Sequence, residues 1–82
     1  MSQYVLIDIC AFSQKKQKEL EKYKNRKVRL TDKVQLGKPL MFEFDDHSFK
    51  DTVVNVYKEE FTTGRLVIVT SSFTAIVKLN EK

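Results

Sequence analysis

The sequence predicts an α+β fold: one helix packed on a curved antiparallel sheet of about four to five strands, as a small meander or partly open barrel. Three observations carry that prediction. A short and almost unbroken apolar run occupies residues 4–12. Residues 14–26 are rich in Lys and Glu and hold no Gly, Pro or β-branched residue. Apolar stretches separated by turn residues fill the second half of the chain.

Tyr4 to Phe12 is interrupted only by Asp8. The run is short and partly β-branched, which favours a central strand buried on both faces over a helix. Ser13 then supplies a helix N-cap, and Gln14 through Arg26 is expected to form a helix of about three turns. At ~100° per residue, Phe12, Leu20 and Tyr23 fall on one narrow stripe, and Lys15, Lys18, Lys22 and Arg26 form a ridge beside it. Such a helix packs by one edge. Val28 and Leu30 alternate with Lys27 and Arg29 as in a half-exposed strand, Thr31-Asp32-Lys33 reads as a turn, and residues 27–36 fit strand or loop.

Gly37-Lys38-Pro39 is the clearest punctuation. Leu40 to Phe44 follows as a strand, and Asp45-Asp46-His47-Ser48 as a polar bend. In Thr52 to Tyr57 the pattern puts Val54 and Val56 on one face and Val53 and Tyr57 on the other. A second bend runs from Glu59 to Gly64. Leu66 to Val69, the turn Thr70-Ser71-Ser72, and Phe73 to Leu79 complete an antiparallel meander, with the last strand expected at a sheet edge.

At 82 residues the chain supports one domain, residues 1–82, with one small core. Its 41% apolar content argues for a folded chain over intrinsic disorder. Cys10 is the lone cysteine, so no intramolecular disulfide forms, and its place in the apolar run predicts a buried structural thiol. No stretch approaches the ~20 apolar residues of a membrane span. The first residues do not read as a secretory leader, and the expected location is the cytoplasm.

Few residues are equipped for chemistry. His47 is the only histidine, and its bend with Asp45 and Asp46 fits local backbone capping better than a metal site that needs about four ligands. Asp45, Asp46 and Asp51 as magnesium ligands meet the same objection. Ser71 and Ser72 lack a base held in place, and the two glycines form no phosphate-cradling loop. The expectation is a non-enzymatic protein with no cofactor and no metal.

Binding remains, and charge shows where. Ten basic residues face three acidic ones between positions 13 and 38, a surplus of +7, whereas residues 39–82 hold five bases against seven acids. The candidate surface is the ridge Lys15, Lys18, Lys22 and Arg26, with Lys16, Lys24, Lys27 and Arg29 adding field and Tyr23 placed to stack on a base. Nucleic acid bound there would be held without sequence preference. An acidic protein or nucleoprotein suits the same ridge. The same residues also fit ordinary helix surface pairs at Lys15–Glu19, Glu19–Lys22 and Lys18–Glu21, a reading the sequence slightly favours. A sheet edge at Phe73–Leu79 offers strand addition or homodimerisation instead. The apolar stripe is too narrow for firm membrane insertion.

The second half carries the pattern Gly37-Lys38-Pro39-Leu40, then Thr52-x-Val54-x-x-Tyr57, then Gly64-Arg65-Leu66-x-Ile68-x-Thr70, closing on Val77-x-Leu79. This resembles the short meander of small accessory proteins encoded by phages and mobile elements of Gram-positive bacteria. The resemblance implies a protein that acts by binding host machinery, such as a defence complex, and it transfers no catalytic residues.

Overall fold

The computed structural model describes residues 2–31, 33–58 and 64–79. Six strands form a closed antiparallel barrel in which each strand pairs with the next and the last returns to the first. They are β1 (Ser2–Ala11), β2 (Lys27–Leu30), β3 (Pro39–Glu43), β4 (Ser48–Lys58), β5 (Arg65–Thr70) and β6 (Phe73–Leu79). The α-helix found among the described residues, α1 (Gln14–Leu20), lies between β1 and β2 and runs on into a 3-10 turn at Glu21–Tyr23. The fold is therefore α+β, but with six strands rather than four to five and with the ring shut. No helix is long and apolar enough to cross a membrane among the described residues.

Closure depends on two long strands that each serve two neighbours. β1 pairs with β2 through Ser2–Val5 and with β6 from Tyr4 to Ala11. β4 pairs with β3 through Ser48–Thr52 and then with β5 from Val53 to Lys58. Both strands are irregular near that handover: the register shifts between Leu6 and Asp8 in β1 and between Val53 and Asn55 in β4. An extra residue at such a point bends the strand and increases its twist, as a small barrel requires. The same device steadies both bulges. The Asp8 carboxylate accepts the Ile9 N–H at 2.9 Å, and the Asn55 amide oxygen accepts the Val56 N–H at 2.9 Å.

Bulging also explains why simple alternation fails in these strands. Val53 and Val56 turn inward while Val54 and Tyr57 are exposed, so Val56 shares a face with Val53 rather than with Val54, and Tyr57 with Val54 rather than with Val53. In β1, Leu6 and Ile9 are buried, Val5 and Ile7 are half-buried, and Asp8 and Cys10 are exposed, so one face of the strand is covered rather than both. Cys10 is thus an exposed thiol and not a core one. β6 is not an edge strand, because β5 pairs with one side of it and β1 with the other.

The helix begins as expected and stops early. Ser13 has extended dihedrals and accepts the Lys16 N–H at 3.2 Å, which satisfies one of the donors left free in the first turn. Helical structure ends at Tyr23 instead of Arg26. Asn25 takes a left-handed φ of 69°, a conformation its short polar side chain tolerates. From there the chain joins β1: Asn25 N–H donates to the Leu6 carbonyl at 2.6 Å, and Leu6 N–H donates to Arg26 at 2.9 Å. Residues 27–30 follow as the half-exposed strand β2, Gly37 takes a φ of 78°, and the turn expected at Thr31-Asp32-Lys33 is centred on Asp32, outside the described residues. The bend expected at 59–63 lies outside the described residues.

Phe12 does not share the helix stripe. It precedes the cap, and its side chain is 63% exposed. Leu20 and Tyr23 do enter the core, where Tyr23 meets Phe44 and Phe49 at ring centroid distances of 4.5 and 5.6 Å. Phe42 and Phe73 extend this aromatic packing in the barrel interior. Thr70, the one buried polar residue among the described residues, fixes the β5–β6 turn. Its hydroxyl accepts the Phe73 N–H at 3.1 Å and lies 3.1 Å from the Asp51 carboxylate, which serves as an acceptor.

Gln17 ties the helix to the barrel where β2 has ended. Its amide nitrogen donates to the Ile9 carbonyl at 3.2 Å, and its amide oxygen accepts the Ala11 N–H at 2.6 Å. One side chain thus replaces a strand along the open side of β1. Gln17→Ala is expected to lower unfolding free energy by about 1–3 kcal/mol in chemical denaturation, with Gln14→Ala near zero, because it leaves two partly buried backbone groups unpaired. A second test follows from Cys10: the folded protein should react fully with a thiol reagent in the absence of denaturant.

Candidate anion-binding groove

The basic segment divides into two sets. Lys24 pairs with Asp8 at 3.6 Å, Arg26 with Asp46 at 2.9 Å, and Arg29 with Glu43 at 3.0 Å. Lys15, Lys16, Lys18, Lys22 and Lys27 are exposed and make no ion pair among the described residues. The helix surface pairs at Lys15–Glu19, Glu19–Lys22 and Lys18–Glu21 do not close. Four of the unpaired cations lie on α1 and the turn that continues it, so the ridge survives without Arg26 as a free member.

Tyr23 has a different part from the one its sequence position implies. It is 4% exposed, packed by Phe44 and Phe49, with the His47 ring stacked over it at 6.0 Å and 13°. It cannot stack on a base. Its ring instead attracts cations, with Lys22 5.4 Å and Arg26 5.4 Å from its centroid. The ring quadrupole helps hold both cations in place, and of the two only Lys22 is left without a carboxylate partner among the described residues.

The helix and the bend before β4 enclose a groove of about 370 Å³. Leu20, Tyr23, Phe49 and Phe73 contribute apolar surface, and Lys16, Lys22, His47 and Lys50 stand around it. Glu19 and Asp51 are the acids on its lining, and Asp51 is engaged with the Thr52 N–H at 2.8 Å and with Thr70. Lys50 belongs to the acidic half of the sequence, and only barrel closure brings it to the lysines of the helix. No local pattern marks it.

A second groove, of about 460 Å³, lies beside β2 and the β3–β4 bend. Lys27 and Arg29 line it together with Glu43 and Asp45. Because Arg29 is already neutralised by Glu43, this groove offers no concentrated field of one sign. The Arg26–Asp46 pair closes the bend nearby. The hydrogen bond from the Arg26 guanidinium, more than its charge alone, holds the Asp46 carboxyl below the ordinary carboxylate range. The pair therefore favours the fold at neutral pH and loses that effect as pH falls through the lowered value, a small contribution for so exposed a group.

Among the described residues no three His, Cys, Asp or Glu side chains gather as a metal site would require. The lysine groove instead offers compact cationic groups on flexible stems above an apolar floor. Ammonium groups make point contacts with phosphate or carboxylate and impose little orientation on them. No protein-family model matches the chain, and comparison with curated proteins and with solved structures gave no match. The resemblance to phage and mobile-element accessory proteins thus rests on the residue pattern alone.

Proposed function

We propose that this protein works by binding, and that its α1 ridge and the adjoining groove dock the anionic surface of a partner protein or nucleoprotein complex. One observation carries this reading: Lys16, Lys22 and Lys50 converge on one groove, with no ion pair among the described residues to neutralise them. Lys15 and Lys18 extend the same field along the helix. Unpaired like charges held close together repel one another, and an anionic partner relieves that repulsion. Burial of Tyr23 takes away the base-stacking platform that single-stranded nucleic acid would use, which favours an acidic surface over a bare strand. The accessory-protein resemblance fits this reading, with a host component, such as one of a defence complex, as the partner.

The test compares poly-glutamate, duplex DNA and single-stranded DNA as probes at two salt concentrations. Binding of poly-glutamate or duplex is expected to exceed that of single strands and to weaken with salt, by a slope of about −0.9 per phosphate neutralised for duplex. Lys16→Glu/Lys50→Glu is expected to abolish it, whereas Lys33→Glu/Lys38→Glu, with the same change in net charge, is expected to retain most of it. Equal loss in both variants would show an effect of net charge alone, and no binding at low salt would overturn the proposal.

A further inference from the structure

The barrel carries a second surface of different character. Across β4, β5 and β6 the register places Tyr57, Val67 and Ile76 in one outward row, which ends on β1 at Asp8, itself paired with Lys24, and Val69 and Thr74 lie in the next row. Val5 lies opposite Lys78 on the same outer side. Val5, Val67, Val69 and Ile76 are apolar and half-buried, yet none of the four belongs to the core or packs on it. Strands that are apolar on both faces are characteristic of sheets covered on both sides, and here the helix packs on β1. Tyr57 is 54% exposed at one end of its row, and its hydroxyl accepts a hydrogen bond from the Asn55 amide at 2.7 Å. A held, exposed tyrosine beside aliphatic side chains is a common anchor of protein interfaces.

Charge at the border of this face indicates its occupant. Arg65 and Lys78 are direct cross-strand partners, so two cations lie side by side at the end of the apolar rows. Like charges directly opposite one another weaken a sheet unless something answers them, and no carboxylate among the described residues pairs with either. A second copy of the chain would bring more cations to a protein whose net charge is already +4. The apolar row crosses only three strands, β4, β5 and β6, which at a spacing of ~4.8 Å make a patch about 10 Å wide. That width suits one helix of about 10 Å diameter better than the ~800 Å² per partner of a stable dimer.

We propose that this face docks an amphipathic segment of a partner protein, with aliphatic side chains lying over Val67, Val69 and Ile76 and carboxylates meeting Arg65 and Lys78. The site is independent of the lysine groove, and the two together would let one small protein hold two surfaces at once.

A displayed library of short amphipathic peptides, selected on the intact chain, tests this directly. The selected peptides are expected to be rich in Leu, Ile or Phe together with Asp or Glu. Their affinity is expected to fall about tenfold or more in Val67→Thr/Ile76→Thr, which keeps β-branched residues in the strands, and likewise in Arg65→Gln/Lys78→Gln. Lys16→Glu/Lys50→Glu is expected to leave it unchanged, which separates this face from the groove. Circular dichroism of each variant verifies the fold. Failure to select any peptide, selection of peptides without carboxylates, or equal binding by the Thr variant would overturn the proposal. So would a dimer in sedimentation that Val67→Thr/Ile76→Thr dissolves, since a second copy would then be the occupant.

Discussion

The structure depends on the hydrogen bonding of β1. Ten residues long, this strand pairs with β2 along its first part and with β6 along most of its length, so it both starts and closes the barrel. Where β2 falls away, its remaining backbone groups are met by Asn25 and Arg26 and then by the side chain of Gln17. Buried backbone groups without partners are costly, and that cost decides where the helix stops and how it sits. The short helix gains little by itself, since seven residues are too few for a stable helix in water. Its position comes from the strand.

That positioning is what joins charge to shape. Ser13 starts the helix and Gln17 fixes its distance from β1, while Leu20 and Tyr23 enter the core and leave the lysines outside. On the other side, the Asp51–Thr70 contact and the bulge at Val54 set the course of β4 and so bring Lys50 to the same groove. Neither part makes the site alone. Two nearby acids are meanwhile drawn into contacts that build the fold, Asp8 by steadying a bulge and pairing with Lys24, and Glu21 by accepting from the Gln17 amide. Cations on the helix are left without local answers, and that imbalance is the physical basis of the proposed binding.

The sequence was informative where a signal is local. Ser13 as N-cap, Gly37 in a left-handed turn, the alternation of Lys27–Leu30 and the turn after Thr70 are all visible in a few residues, and the structure has each of them. The failures arise where distant strands decide the outcome. Cys10 looks like a core thiol because apolar runs hide a bulge, and the register shift at Ile7 is what turns it outward. β6 looks like an edge because it comes last, but ring closure gives it a second neighbour. Tyr23 lies on the apolar stripe as expected, yet its burial against Phe44 and Phe49, far along the chain, removes it from the binding surface. For the groove, the helix lysines were legible and Lys50 was not.

The central claim is that Lys16, Lys22 and Lys50 act as one surface, and lysine footprinting tests it most directly. Acetylation of each lysine would be followed by mass spectrometry in the free protein and with poly-glutamate or duplex DNA present. The account predicts that these three are protected together on binding, while Lys33 and Lys38 continue to react as in the free protein. Protection spread evenly over all lysines, or of helix lysines with Lys50 left reactive, would contradict it.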